Sequence, residues 1–334
     1  MIVAADGSGH FTSIQEAVDH IPDDGSGDAV IFIKNGVYKE KLHVEKRSLR
    51  LVGECSEHTI ITCDDYARKK FPDGSEYETF NSYSVFIGAD DITVENITME
   101  NSAGRGEAVG QAVAAYVDGD RVHFRNCRFL GHQDTLFTGP LPEKPLKRDS
   151  FGGPRDGAPR RHGRQFYENC FIQGDVDFIF GSATAVFQHC EIFTKNRLKD
   201  GGCTGINGWI TAASTPENVR FGYVFIDCKL TSDAPPQSVY LGRPWRNHAK
   251  TAFIGCWMDG HIQPEGWDNW SKPESERTVN YCEFNSRGPG AVTDQRVKWA
   301  KTLTMEEAEA FTLNNILSGS DGWNPADRAE RTID

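Results

Sequence analysis

Two aspartates recur at one offset from a cysteine. Asp134, in Gly131-His-Gln-Asp-Thr-Leu136, follows Cys127 by seven residues, and Asp177, in Gly174-Asp-Val-Asp-Phe-Ile-Phe-Gly181, follows Cys170 by seven. If the cysteines stack on neighbouring coils of the chain, the two carboxylates lie one strand spacing apart, roughly 4.8 Å. Carboxylates that close do not both ionise freely, so one pKa rises and the pair titrates as a unit. An anionic and a protonated aspartate side by side near neutrality make a nucleophile and a general acid. The same spacing also suits a purely structural pair, or an aspartate stack bridged by a basic residue. Gln133 adds an amide beside the dyad. Arg243 precedes Cys256 by 13 residues and Gln111 precedes Cys127 by 16, which sets both on neighbouring faces. An arginine there would hold one carboxylate ionised, and glutamine amides would stabilise an oxyanion. Taken singly, each is more often an ordinary surface residue.

The element that must position these groups is a repeat. Val122-His-Phe-Arg-Asn-Cys-Arg-Phe129, Gln165-Phe-Tyr-Glu-Asn-Cys-Phe-Ile172, Ala185-Val-Phe-Gln-His-Cys-Glu-Ile192, Tyr223-Val-Phe-Ile-Asp-Cys-Lys-Leu230, Thr251-Ala-Phe-Ile-Gly-Cys-Trp-Met258 and Thr278-Val-Asn-Tyr-Cys-Glu-Phe284 share one pattern. In each, a short apolar strand meets a small or polar residue, then Cys, then another apolar position. Residues 49–61 and 92–101 share the pattern without the aligned cysteine. Self-similarity at such intervals, with period-two alternation and Asn/Asp/Gly punctuation, specifies a solenoid of strands rather than helix pairs. The predicted fold is all-β: a right-handed parallel β-helix, with the chain from 1 to 334 forming a single domain. Such a solenoid must cover its open ends. Thr12-Ser-Ile-Gln-Glu-Ala-Val-Asp-His-Ile21, with overlapping capping boxes and an apolar face at Ile14, Ala17, Val18 and Ile21, predicts a helix at one end. Thr304-Met-Glu-Glu-Ala-Glu-Ala-Phe311 predicts a helix at the other.

Residues 141–164 interrupt the pattern with a Pro- and Gly-rich loop. It holds seven Lys/Arg against three Asp/Glu, a local +4 in a chain whose 36 Lys+Arg and 48 Asp+Glu give −12. Two readings follow: a solvated loop, or a rim for a carboxylate-bearing ligand. The acidic balance of the whole disfavours a nucleic-acid partner, which needs a basic face. With 38% hydrophobic residues there is ample core, and no apolar run approaches the roughly 20 residues of a membrane span. Nine cysteines with no CxxC spacing argue against a disulfide scaffold or zinc site. No signal peptide precedes the repeats, so a cytoplasmic location is expected, the alternative being a secreted or periplasmic protein whose leader was removed.

Several segments resemble the signature blocks of the pectin methylesterases, in family order: Gly36-Val-Tyr-Lys-Glu40, Gln111-Ala-Val-Ala-Ala115, Gln133-Asp-Thr-Leu136, Asp177-Phe-Ile-Phe-Gly181 and Leu241-Gly-Arg-Pro-Trp245. The opening Asp6-Gly-Ser-Gly-His-Phe-Thr-Ser-Ile-Gln-Glu-Ala-Val18 is similar to the family's N-terminal block. The resemblance implies a pectin-lyase-like solenoid that hydrolyses C6 methyl esters of pectin or methylated oligogalacturonides, without metal or organic cofactor. It implies Asp177 as nucleophile, Asp134 as general acid and base, Gln111 and Gln133 as the oxyanion hole, and Arg243 as the group orienting the nucleophile. Trp245 is implied as a sugar-packing aromatic, with Phe137 and Phe180 beside it as further substrate contacts. A monomer is the default expectation.

Departures from the family pattern sharpen the expectations. Ala115 stands where Leu is usual, Phe137 where Tyr is common, and Ile210-Thr-Ala-Ala-Ser-Thr-Pro216 lacks the usual Gln-Gly-Arg. The 141–164 loop is absent from plant-type members, and is expected either to shorten the groove and favour oligomers over polymer, or to favour partly de-esterified chains. Tyr38, Glu40 and His132 read as scaffold, and the remaining tryptophans as core or end packing. A β-helix glycoside hydrolase, a polysaccharide lyase and a non-catalytic sugar-binding solenoid are the competing readings. No Gly-x-Ser-x-Gly is present, against a serine esterase.

Overall fold

Every coil of this chain solves one problem: how to turn a strand sharply and pack the next one parallel to it. Residues 1–22, 29–146, 148–198 and 205–325 are described in the computed structural model, so Lys147 of the basic loop and Cys203 lie outside the described residues. The chain returns to the same sheet every third strand, giving three parallel sheets of eleven, seven and eight strands. They are called here the long sheet, the site sheet and the third sheet.

The turn from the long sheet to the third sheet is set by one residue per coil. Asn96, Asn126, Asn169, His189, Asp227, Gly255 and Asn285 all have φ between 50 and 65°, a left-handed conformation that Asn, Asp and Gly adopt at least cost. In five of these coils the next residue is the predicted cysteine. Cys127, Cys170, Cys190, Cys228 and Cys256 are buried free thiols, and each lies within 3.2–3.6 Å of a backbone carbonyl in the coil before: Val94, Phe124, Tyr167, Phe187 and Phe225. A thiol is a weak donor, so cysteine here is chiefly a small apolar residue with a partner for its proton.

Those carbonyls belong to strands that build the core. Phe124, Tyr167, Phe187, Phe225 and Phe253 stand in register and stack at 5.0, 4.6, 4.6 and 4.5 Å, with ring planes within 13° of parallel. The next position in that register is Glu283, buried and held by the Arg296 guanidinium at 2.8 and 3.1 Å. A charge is tolerated there because it is paired.

The structure corrects the sixth repeat. Cys282 pairs with Ala252 inside a strand, four places ahead of the cysteine stack. Asn285 makes that coil's turn, and Ser286 holds the position where the other coils have cysteine. Cys282 instead points outward into an apolar layer with Val186, Val224, Ile316 and Leu317.

The N-terminal end is closed by the helix Ile14–Asp19, which buries Ile14, Ala17 and Val18. Ser13 accepts from the Glu16 amide, and Glu40 accepts from the amides of Ile14 and Gln15 at 2.9 Å each, so the Gly36–Glu40 block is a capping device. At the other end the Thr304 capping box forms, but the helix it starts, Met305–Ala308, buries none of its residues. The following helix, Leu313–Leu317, buries Ile316 and Leu317 against the outer face of the long sheet. Trp299 packs on Tyr281 at 5.9 Å, at the C-terminal end of the core. The two ends are therefore closed differently.

Candidate active site

The dyad comes from two adjacent strands of the site sheet. Leu136 pairs with Ile179, so two residues earlier Asp134 stands opposite Asp177, as the cysteine arithmetic requires. Both aspartates have left-handed backbones, φ 62° for Asp134 and 50° for Asp177, a conformation worth explaining at any functional position. At Asp177 the strand also carries a bulge: Val176 pairs with Trp209 but Ile179 with Thr211, one residue too many. Phe178 and Ile179 consequently both enter the core, which strict alternation forbids, and Asp177 is turned outward into the cleft. Bulges re-aim side chains in this way beside active sites.

The two carboxylates have unequal surroundings. Arg243 donates from Nε and one Nη to the two oxygens of Asp177, at 2.8 and 2.7 Å. Arg243 follows Gly242, which lies in register with Thr211, and the position between it and Phe180 is filled by Ala212. That small side chain leaves the space across which the guanidinium reaches. The faces of Trp209 and Trp270 hold its central carbon from 3.7 and 3.9 Å. Asp268 fixes both tryptophans, accepting from the Trp209 indole at 3.2 Å and from the Trp270 amide. Among the described residues no cation pairs with Asp134. Burial drives its pKa well above the ordinary carboxylate range and the charge of Asp177 adds to this. Burial raises Asp177 too, but Arg243 opposes the rise. Asp177 is thus the first of the two to ionise, and Asp134 keeps its proton.

The turn that carries Gln133 and Asp134 is braced from below. Thr135 donates to the carbonyls of His132 and Gln173 at 3.1 and 2.9 Å. His132 lies between Asp175 at 2.9 Å and the Lys195 amine at 2.7 Å, which leaves it no free nitrogen for the dyad. Gly106 lies against Gln133: a Cβ there would meet the amide oxygen at 2.5 Å and Gln133 Cβ at 2.9 Å. Gln111, Gln133, Asp134, Asp177 and Arg243 all line one cleft of about 580 Å³, within the range of a small-ligand site.

The aromatic expectations divide. Trp245 lines the cleft, and so does Phe180 although it is only 3% exposed. Phe137 is corrected: it is fully buried beneath Phe80, whose ring lies edge-on at 4.9 Å, and it floors the cleft without reaching its surface. Phe80, Trp209, Trp270 and Lys272 were not expected here. The one sequence signal for them is the dense Trp267-Asp-Asn-Trp270 segment.

The basic loop is mostly spent on anchoring. Arg155 binds Asp118 at 2.8 Å and Glu45 at 2.7 Å, Arg161 binds Asp90, and Arg164 binds Asp120 and Asp321. Gly153, at φ 83°, presses so close to Phe80 that a Cβ would meet its carbonyl oxygen at 2.5 Å. Phe151, Leu146 and Arg148 thereby wall one side of the cleft. Among the described residues the one group with metal-ligand spacing is Cys63, Asp64 and Asp65, and Lys41 and Lys69 occupy both oxygens of Asp65.

Comparison with known proteins agrees with this architecture. The pectinesterase family model matches residues 1–141 and 146–320, so the basic loop falls within the match except at 142–145. Pectinesterase 31 of Arabidopsis thaliana is 36% identical over 322 residues, spanning 94% of this chain and 91% of that protein. The solved pectin methylesterase from carrot superposes with a TM-score of 0.80 at 33% identity, covering 98% of this chain and 95% of its own. A pectin methylesterase solved in complex with a hexasaccharide gives 0.79 at 29% identity, covering 97% of each. With these matches over nearly its whole length, and with the three-sheet solenoid that carries its paired aspartates, the chain belongs to the pectinesterase family.

Proposed function

We propose that the protein hydrolyses the C6 methyl esters of galacturonate residues in pectin or methylated oligogalacturonides, releasing methanol. The observation that carries the mechanism is the asymmetry of the dyad: two register-matched buried aspartates, one gripped by Arg243 and the other with no cation bound to it among the described residues. The Asp177 carboxylate attacks the ester carbon. As the carbonyl oxygen gains charge, the amides of Gln111 and Gln133 donate to it. Asp134 gives its proton to the methoxy oxygen, methanol leaves, and the uronate acyl group stays on Asp177 as an anhydride. Asp134, now ionised, takes a proton from a water molecule that attacks the anhydride. The free uronate departs, and both aspartates return to their starting states. Arg243 holds Asp177 aligned throughout, so the attack needs little reorganisation.

The test is methanol release from highly esterified pectin, and from methylated trigalacturonate, by the purified protein with no calcium added. Catalytic methanol release without chain shortening is the expected result. Chain scission with new reducing ends, or unsaturated products that need calcium, would replace the esterase by a glycosidase or a lyase. Binding with no product at all would leave a sugar-binding solenoid.

A further inference from the structure

Arg243 is what makes the two aspartates unequal, so whatever fixes Arg243 fixes the dyad. A free arginine side chain turns among many rotamers and keeps water on both faces of its guanidinium. Here the side chain is only 14% exposed, and its plane is one layer of a column. Tyr240 stacks on Trp209 at 6.3 Å with the rings within 14° of parallel, and Trp209 and Trp270 sandwich the guanidinium. Trp209 is the register partner of Tyr240 and also of Val176, the residue before Asp177. Trp270 arrives on a segment bonded to the arginine's own strand: Gly242 bridges to Trp267, and its carbonyl accepts from the Asp268 amide at 3.1 Å. Asp268 then ties the layers together through the Trp209 indole and the Trp270 amide. With both faces covered, the N–H edge of the guanidinium is what remains for polar partners, and that edge meets Asp177. The two indoles differ in one respect. Trp270 lines the cleft, whereas Trp209 is not among the described residues that do. Trp209 reaches the reacting groups only through Arg243.

We infer that Trp209 is a positioning residue for the reaction: wedged between Tyr240 and Arg243 and tethered by Asp268, it holds the guanidinium edge on Asp177 and keeps that carboxylate the one that attacks. The inference rests on the esterase reading above and adds to it a residue that touches no substrate. Covering the guanidinium faces keeps water from the ion pair, so the charge of Arg243 acts on Asp177 through a less polar medium. An indole suits this task, because its broad face stacks on the flat cation. The groups that face Asp177 are Arg243 and Lys272, which favour its charge, and Asp134 and Asp268, which oppose it. The buried Tyr281 phenol lies on the core side. Arg243 acts most strongly of these, so loosening it leaves burial less opposed and raises the Asp177 carboxyl further.

One measurement with substrate and one without test this. In methanol release from pectin, Trp209→Ala should lower kcat by about 10- to 100-fold, the order of loss that misalignment of a reacting group brings, and leave KM nearly unchanged. The acid limb of kcat/KM should move to higher pH. Trp209→Phe keeps a ring on the guanidinium and should recover most of kcat. Trp209→Leu fills the space without a π face and should not; it also serves in place of the alanine variant if that chain does not fold. A raised KM at wild-type kcat would make Trp209 a sugar contact and overturn the inference. Urea unfolding reads the same coupling with no substrate present. The folded-state pKa of Asp177 lies above its ordinary value, so its contribution to stability is present below about 3.9 and is lost as pH rises through the folded pKa. Raising that pKa further enlarges the loss. The urea midpoint of Trp209→Ala should therefore fall increasingly below that of the wild type as pH rises from about 4 to about 7. With Asp177→Asn in both proteins the gap should not change with pH. A gap independent of pH in both backgrounds would make Trp209 ordinary packing and overturn the inference. The pH-dependent gap in a protein that releases no methanol would instead remove the esterase reading and leave the hold of Trp209 on Asp177 standing.

Discussion

The inside and outside of the same coils are built by opposite rules. Inside, Phe124, Tyr167, Phe187, Phe225 and Phe253 repeat one residue class at one register, with thiols one turn later bonding back to the preceding coil. Outside, on the site sheet, the regularity is broken around the proposed catalytic pair. A bulge carries Asp177, both aspartates are left-handed, and Arg243 spans the gap left by Ala212. Repetition gives each coil a nearly identical neighbour to pack on, so stability accumulates coil by coil. A catalytic pair needs two different environments at equivalent positions, and only departures from the repeat supply them.

The sharpest way to separate the two regions is Asp177→Asn. Methanol release should fall by about 10⁴-fold or more, because the proposed nucleophile acts together with the rest of the machinery. The fold should not suffer. Burial raises the Asp177 carboxyl even with Arg243 beside it, so its charge is a net cost to the native state and a neutral amide of the same shape is tolerated. Urea unfolding of the variant checks the second half of this expectation. Methanol release near the wild-type rate would remove Asp177 from the chemistry altogether.

The converse change is Phe187→Ala, in the middle of the inner stack with a ring on either side at 4.6 Å. Truncating a fully buried Phe costs about 3–5 kcal/mol through lost burial and a residual cavity. The urea midpoint should fall accordingly, while kcat/KM of the folded enzyme, measured at low temperature, stays near the wild-type value. A large loss of kcat/KM without loss of stability would show that the stack and the site are mechanically coupled.

The same division explains what was legible in the sequence. The cysteine repeat revealed the coils, and through them the equivalence of Asp134 and Asp177, because strand register converts a sequence offset into a spatial position. It misplaced Cys282 because the last coil makes its turn at Asn285 with Ser286 following, while Cys282-Glu-Phe284 copies the Cys-x-apolar spacing four residues early. It did not reveal that Phe137 is covered, since the covering Phe80 belongs to the short helix Glu78–Asn81, outside any repeat. The grip of Trp209 and Trp270 on Arg243 was equally invisible, as it depends on a loop folding back over the sheet. The basic loop's charge was visible, but its partners Asp90, Asp118, Asp120 and Asp321 are scattered along the chain, so anchoring and ligand binding looked alike. Local period specifies the scaffold; non-local contacts specify which exposed-looking residues are free to act.

The smallest effect tests the asymmetry itself, through stability rather than rate. Asp134 has a folded-state pKa raised by burial and by Asp177, so the native state holds a proton that the unfolded chain, titrating near 3.9, releases. Below that value both states are protonated and the contribution to stability is fully present. As pH rises towards the folded pKa, stability is lost at up to about 1.4 kcal/mol per pH unit. Asn cannot titrate, so Asp134→Asn should match the wild type near pH 3 and become progressively the more stable protein at higher pH. Paired urea titrations across that range read the difference directly. In the same variant methanol release should fall about 10²–10⁴-fold, the loss typical of a general acid. A stability difference that stays flat from pH 3 to pH 8 would mean that Asp134 ionises like an exposed carboxylate. The outer face would then hold two equivalent aspartates, as regular as the stack beneath them, and no acid to complement the nucleophile.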